Sequence, residues 1–143
     1  MDRLDEKTIR ELIEAALDAR KMSYSPYSRY QVGAALIAKN GRTFTGCNIE
    51  NAAYTPTNCA ERTAFFKAVS EGITDFSAIA IVGSPEGNVV TQYAYPCGVC
   101  RQVMMEFCYP SDFQIIVAKS EDDYRVMKLQ ELLPEGFGPE NLN

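Results

Sequence analysis

Apolar residues recur near the start of the chain with the spacing of one face of a helix. The pattern i, i+3, i+4, i+7, i+8 is filled by Ile9, Leu12, Ile13, Ala16 and Leu17. Asp5 precedes this pattern as a candidate N-cap, so we predict a helix over residues 5–21. The polar and proline-containing stretch 23–28 breaks the period and predicts a loop.

Short runs of small, branched and aromatic residues predict five strands. They cover residues 30–38, 43–47, 76–82, 113–118 and 124–128. Asn40-Gly41 lies between the first two strands and predicts a two-residue hairpin with positive φ at both turn positions. Residues 84–95 are loop-like, with a possible short strand at Val89-Val90.

Helical patterns separate most of these strands. They cover residues 59–72, 98–108 and 130–133, and Gly72 suits the position that follows a last helical turn. A sheet that begins with a hairpin and continues through helical crossovers is mixed, and helices can cover both of its faces. We therefore expect a three-layer α/β/α sandwich around a mixed five-stranded sheet, as a single domain over residues 1–143.

The charge of the chain narrows the class of partner. Its net charge is −5, and no dense cluster of lysine and arginine is present. A nucleic-acid backbone is bound by a positive surface, so we expect a small-molecule partner and no nucleic acid. No apolar run approaches the roughly 18 residues of a membrane helix, and the charged residues 1–7 are unlike a signal peptide. We expect no membrane partner and a cytoplasmic location.

The counts of histidine and cysteine restrict the chemistry further. The chain has no histidine, which excludes Ser-His-Asp and Cys-His catalysis and any imidazole ligand to a metal. Its cysteines lie at positions 47, 59, 97, 100 and 108. An odd number of cysteines without a signal peptide favours thiol or metal chemistry over a disulfide framework.

Two cysteine clusters lie at predicted helix N-termini. The first is CAER at 59–62 and the second is PCGVCR at 96–101, and together they match the pattern of zinc nucleobase deaminases. Helix N-termini stabilise thiolates, and three ligands, Cys59, Cys97 and Cys100, leave the fourth zinc position open for water. Two alternatives remain: a redox pair at Cys97-x-x-Cys100, or a structural zinc site completed by Cys47 or Cys108.

Glu61 is the candidate proton-transfer residue beside this metal. Side chains two residues apart on a regular helix point about 200° away from each other. Cys59 and Glu61 can therefore share one site only if Cys59 caps the helix and Glu61 lies inside its first turn. Three thiolates give the zinc site a net negative charge, which Arg62 can reduce by hydrogen bonds to sulfur. Arg101 is a weaker candidate for the same role.

In these two motifs the chain resembles the small, three-cysteine cytidine deaminases. The resemblance rests on CAERTA at 59–64 and PCGVCRQ at 96–102, and extends to VGAAL at 32–36, GCNIENAAY at 46–54 and ELLP at 131–134. It covers essentially the whole chain, from the first helix to the C-terminal tail. It implies zinc-dependent hydrolysis of cytidine or 2′-deoxycytidine to the uridine and ammonia, a reaction of pyrimidine salvage.

The resemblance also implies a role for individual residues. Cys59, Cys97 and Cys100 hold one zinc ion per chain, and Glu61 moves protons from water to ring N3 and to the departing amine. The implied substrate-binding residues are Ala60 through its N–H, Asn48 and Glu50 at the ribose, and Tyr30, Tyr54 and Phe137. Tyr30 stands where the family usually has phenylalanine. Phe137 resembles a tail aromatic that reaches a neighbouring subunit, and the family implies a homotetramer with shared sites.

Three other functions are compatible with parts of this pattern. A deaminase resembling blasticidin S deaminase shares the zinc residues, although the stretch 48–54 is not expected in it. A non-catalytic zinc module that binds a nucleoside or a protein shares the ligands but has no need of Glu61. An editing enzyme that acts on nucleic acid is disfavoured by the short, acidic chain.

Overall fold

The protein is described by a computed structural model over residues 4–142. Residues 1–3 of the charged N-terminal stretch, and Asn143, lie outside the described residues. The helices are α1 (Glu6–Arg20), α2 (Ala60–Ser70), α3 (Gly98–Phe107) and α4 (Leu129–Leu132), and Pro139–Leu142 forms a 3-10 helix. The strands are β1 (Tyr30–Ala38), β2 (Thr43–Cys47), β3 (Phe76–Pro85), β4 (Gln114–Ser120) and β5 (Asp123–Lys128). None of the helices within 4–142 is long and apolar enough to cross a membrane.

The five strands form one mixed sheet in the order β2-β1-β3-β4-β5. Strands β3 and β4 are parallel and are joined through α3, whereas the other three neighbouring pairs are antiparallel. Helix α1 packs on one face of the sheet through Ile9, Leu12 and Ile13. Helices α2 and α3 pack on the other face, around Phe65 and Met104. The predicted three-layer sandwich is confirmed.

The beginning of α2 is pressed against strand β2 at a glycine. A Cβ atom added at Gly46 would lie 2.4 Å from the carbonyl oxygen of Ala60 and 2.6 Å from the backbone nitrogen of Ala64. Only a residue without a side chain allows the helix and the strand to approach this closely. This close contact fixes the position of Cys59, the residue before α2, relative to the sheet.

The β1–β2 turn differs from the predicted two-residue hairpin. Positive φ in this turn is confined to Gly41, at 91°, and the Gly41 N–H donates to the Ala38 carbonyl. The Asn40 side chain accepts from the Arg42 N–H at 2.9 Å, which stabilises a three-residue loop with glycine in the left-handed position. The prediction that both Asn40 and Gly41 have positive φ was wrong.

Strand β3 is longer than predicted because β1 offers it a partner along its whole length. Tyr30 pairs with Pro85, so the strand runs three residues beyond Val82. Ser84 is buried in this extension, where its hydroxyl contacts the Arg20 guanidinium. The possible short strand at Val89-Val90 is absent from the described sheet. The remaining helices and strands match their predicted bounds to within two residues, and the 3-10 helix Pro139–Leu142 was not predicted.

Candidate active site

The N-termini of α2 and α3 bring three cysteine sulfurs together on one face of the sheet. Cys59 is the N-cap of α2, Cys97 is the N-cap of α3, and Cys100 lies in the first turn of α3. The three Sγ atoms all lie within 4.8 Å of one another, and Cys59 Sγ is 3.8 Å from Cys97 Sγ. Tetrahedral zinc with Zn–S bonds of about 2.3 Å places its sulfurs about 3.8 Å apart. The cluster therefore fits one zinc ion per chain.

Among residues 4–142, no fourth cysteine lies in this cluster. Cys108 lies at the far end of α3, where burial raises the pKa of its thiol. Cys47 ends strand β2, and burial raises the pKa of its thiol as well. A closed four-cysteine structural site and an isolated Cys97–Cys100 redox pair both fit this arrangement less well than a three-ligand zinc site does.

Arg62 contacts the sulfur cluster directly. Its Nη2 donates to Cys59 Sγ at 3.3 Å, from within the first turn of α2. A hydrogen bond with Cys100 and the adjacent Arg62 guanidinium hold the pKa of Cys59 well below its usual range. A guanidinium at this position stabilises the thiolate form, which is the form that binds a metal.

Glu61 is buried beside the same sulfurs. The N-cap residue Cys59 has an extended backbone, with φ −73° and ψ 156°, so the two residues do not follow the 200° separation of a regular helix. Glu61 is only 4% exposed, and its carboxyl interacts with Cys59 and Cys100. Burial raises the pKa of Glu61 to about 7. A carboxyl group with a pKa near neutrality can both accept and release a proton there.

Arg101 does not contact the sulfurs in the way that Arg62 does. Its Nε donates to the carbonyl of Pro96 at 2.7 Å and its Nη1 donates to the carbonyl of Leu132 at 2.6 Å. The guanidinium therefore joins the turn before Cys97 to the end of α4. Arg101 therefore links two segments of the backbone. Neither of its hydrogen bonds is to a sulfur, so the structure does not support the hypothesis that Arg101 stabilises the thiolates.

Asn48 follows strand β2 and its side chain organises the surrounding backbone. Its Oδ1 accepts from the Val32 N–H at 2.9 Å and from the Ser23 hydroxyl, and its Nδ2 donates to the Tyr30 carbonyl at 2.8 Å. Both lone pairs of the amide oxygen are therefore in use, and one N–H remains for another partner. A backbone bridge between Ile49 and Asn58 ties this segment to the residue before Cys59.

Glu50 is held by the loop between α1 and β1. Its Oε1 accepts from the backbone N–H groups of Tyr27 and Ser28, at 3.0 and 3.1 Å, and its Oε2 accepts from the Ser28 hydroxyl. These hydrogen bonds, the one from the Ser28 hydroxyl above all, lower the pKa of Glu50. The result is an ionised, preoriented carboxylate at the surface. Ser28, which donates two of these hydrogen bonds, was not identified as a candidate residue from the sequence alone.

The three candidate aromatic residues are all exposed. Tyr30 lies on the α2/α3 side of the sheet over Gly83, where a Cβ would be 3.0 Å from its ring. Tyr54 has a positive φ of 63° and packs edge-on against Tyr27, with ring centroids 6.2 Å apart. Phe137 is 57% exposed, and its carbonyl accepts from Gln102 Nε2 at 2.8 Å. None of the three is part of the hydrophobic core, so each has a free ring surface.

Comparisons with known proteins agree on one family. The family model of the cytidine and deoxycytidylate deaminase zinc-binding region matches residues 6–116. The cytidine deaminase of Sporosarcina psychrophila is 47% identical over 135 residues, which cover 94% of this chain and 95% of that protein. The crystal structure of a cytidine deaminase from Burkholderia pseudomallei superposes with a TM-score of 0.79 at 46% identity, covering 89% of this chain and 97% of that one. A blasticidin-S deaminase from Bacillus cereus is 33% identical over 129 residues, with 87% and 88% coverage.

Proposed function

The chain belongs to the cytidine and deoxycytidylate deaminase family, and from this premise we propose a specific reaction for it. It hydrolyses cytidine and 2′-deoxycytidine to uridine and 2′-deoxyuridine with release of ammonia. The observation that carries this conclusion is the buried Glu61 carboxyl beside three clustered thiols that fit one zinc ion. A non-catalytic zinc module has no use for a buried carboxyl whose pKa is raised to about 7.

In this proposal Cys59, Cys97 and Cys100 hold the zinc ion. When bound, zinc supplies the Lewis acidity that makes hydroxide available near neutral pH. Glu61 accepts a proton from the attacking water and delivers it to ring N3 as oxygen adds to C4. It then carries the second proton of that water to the amino group, which leaves as ammonia while the C4 carbonyl forms. Arg62 limits the negative charge on the thiolates.

Ala60 and the segment 48–50 orient the nucleoside. The Ala60 N–H opens α2 and has no partner within its own helix, so it is available to the pyrimidine carbonyl. Asn48 donates its remaining N–H to a ribose oxygen, since its amide oxygen already accepts two hydrogen bonds. The Glu50 carboxylate accepts from a ribose hydroxyl, and the Tyr27 and Ser28 N–H groups keep it ionised and in place.

The exposed aromatics fit an assembly of several chains. Tyr30 and Tyr54 flank the nucleoside, and Phe137 contacts the nucleoside in a neighbouring subunit of a homotetramer. Exposed fractions of 71% for Tyr54 and 57% for Phe137 support this, because large aromatic side chains are usually buried or in contact with a partner.

The absence of disulfide bonds among the cysteines of residues 4–142 supports the proposed cellular location. All five cysteines are free in the structure, which supports a reducing, cytoplasmic compartment and a role in pyrimidine salvage. The net charge of −5 supports a free nucleoside as the substrate and disfavours nucleic acid.

The test is turnover of cytidine, measured as loss of its absorbance together with ammonia release. We expect activity on cytidine and 2′-deoxycytidine that a zinc chelator abolishes and added zinc restores. Blasticidin S and a single-stranded oligonucleotide are the comparison substrates. Faster turnover of either one, or turnover of cytidine that survives complete removal of zinc, would contradict the proposal.

A further inference from the structure

One side of α3 carries the contacts that hold the C-terminal tail. Arg101 donates to the carbonyl of Leu132, where α4 ends, and Gln102 donates to the carbonyl of Phe137. Met105 lies one turn further along. At 100° per residue these three side chains fall within an arc of about 100° on the helix. The tail therefore follows a single side of the helix whose N-terminus carries Cys97 and Cys100.

The residues on both sides of Phe137 are glycines that pack against Met105. A Cβ atom added at Gly136 would lie 3.1 Å from Met105 Sδ, and one added at Gly138 would lie 2.9 Å from Met105 Cε. The Gly138 N–H also donates to the Asn141 side chain at 2.8 Å, which fixes the entry into the 3-10 helix. The backbone around Phe137 is thus anchored, although the residue as a whole is 57% exposed.

We propose that Gln102 is a positioning residue that fixes the Phe137 backbone on α3 and so presents the aromatic ring to the nucleoside. Arg101 binds the segment that precedes Phe137, through the Leu132 carbonyl, and Met105 packs against the glycines on both sides of Phe137. The proposal rests on the proposed function, since it gives Phe137 a role at the nucleoside. It adds that one helix connects the zinc ligands Cys97 and Cys100 to the placement of the tail.

The experiment compares the zinc-loaded full chain with Gln102→Glu and a matched control, Gln130→Glu. A carboxylate at 102 cannot donate to the Phe137 carbonyl, whereas Gln130 is exposed and its side chain has no hydrogen bond among the described residues. Chymotrypsin cleavage after Phe137, identified by the mass of the product, reports how often the tail leaves the helix. Gln102→Ala serves as a second variant without the added charge.

Loss of one hydrogen bond predicts about 2- to 10-fold faster cleavage after Phe137 in both Gln102 variants, and no change in Gln130→Glu. The KM for cytidine rises by a similar factor while kcat changes less than about 2-fold, a split that general destabilisation does not produce. Unchanged cleavage overturns the proposal, and so does faster cleavage with an unchanged KM. Failure of the wild-type chain to deaminate cytidine contradicts the proposed function instead, because cleavage is measured without substrate.

Discussion

The N-termini of α2 and α3 have similar sequences, but their side chains make different contacts. Each helix is preceded by a cysteine with an extended backbone and no side-chain cap, and each has an arginine in the following turn. In α2, Arg62 donates to a sulfur and Glu61 is buried beside the cluster. In α3, Arg101 and Gln102 bind carbonyls of the chain itself. Both N-termini contribute cysteines to the sulfur cluster. That of α2 adds an arginine and a buried carboxyl beside the sulfurs, whereas the arginine and glutamine of α3 bind backbone carbonyls of neighbouring segments.

The difference follows from helix geometry. Arg62 is three residues after the capping cysteine, whereas Arg101 is four residues after it, and one residue turns a side chain by 100° around the helix axis. Arg62 therefore faces the sulfurs, and Arg101 turns toward Pro96 and Leu132. A similar motif of cysteine and arginine does not by itself say what the arginine contacts.

The largest effect is expected at Glu61, the buried carboxyl of the α2 start. Glu61→Gln keeps the size of the side chain but removes the proton acceptor, so kcat should fall about 10²–10⁴-fold while one zinc per chain is retained. Zinc content by metal analysis and ammonia release by assay give both quantities. Glu11→Gln, the same change at an exposed site on α1, is the control. Unchanged turnover in Glu61→Gln would remove Glu61 from the mechanism.

The two arginines give the most direct test of the comparison. Arg62→Gln removes the donor to Cys59, and loss of such a partner of a metal ligand typically lowers metal affinity or activity about 10- to 100-fold. Arg101→Gln should instead lower the free energy of unfolding by about 1.5–3 kcal/mol, since two carbonyls lose a charged donor. Competition with a chromogenic zinc chelator and urea unfolding measure the two effects. Equal losses of zinc affinity in Arg62→Gln and Arg101→Gln would show that the two arginines do not differ in their effect on the metal site.

The features that were predictable from sequence are those fixed by local periodicity or by a match to a known motif. The match of Cys59, Glu61 and Cys97-x-x-Cys100 to the zinc deaminase pattern predicted the sulfur cluster, and the cap geometry that Glu61 requires is present. Apolar periodicity also predicted the order of the elements and the mixed sheet. Family resemblance, and not periodicity, provided the roles proposed for Asn48 and Glu50.

What escaped prediction depends on partners that are distant in sequence. Gln102 lies 35 residues from Phe137, and nothing in its local sequence indicates which carbonyl it binds. Strand β3 extends to Pro85 because β1 is available to pair with it. Local sequence also misled at two places: the possible strand at Val89-Val90 is absent from the described sheet, and the Asn40 turn is longer than predicted. The Asn40 side chain accepts from the Arg42 N–H, which makes the longer loop favourable.

The proposed ribose site also belongs to the α2 side, through the backbone bridge between Ile49 and Asn58. Glu50→Gln should raise the KM for cytidine about 10-fold, because an ionised acceptor becomes neutral. Ser28→Ala is the matched control: it removes the hydroxyl that holds Glu50 but keeps the carboxylate. Steady-state kinetics compare the two, and an equal rise in KM would mean that Glu50 acts only by ordering the loop.

The smallest effects are expected from one glycine near each helix start. A Cβ at Gly46 would meet the Ala60 carbonyl at 2.4 Å, so Gly46→Ala should lower the free energy of unfolding by about 1–3 kcal/mol. A Cβ at Gly98, the first residue of α3, would meet nothing within 4 Å. Gly98→Ala should therefore stabilise the fold by about 0.4–1 kcal/mol, since it restricts only the unfolded chain. Urea unfolding of the zinc-loaded variants measures both changes, and destabilisation by Gly98→Ala would mean that the α3 start is packed as tightly as that of α2.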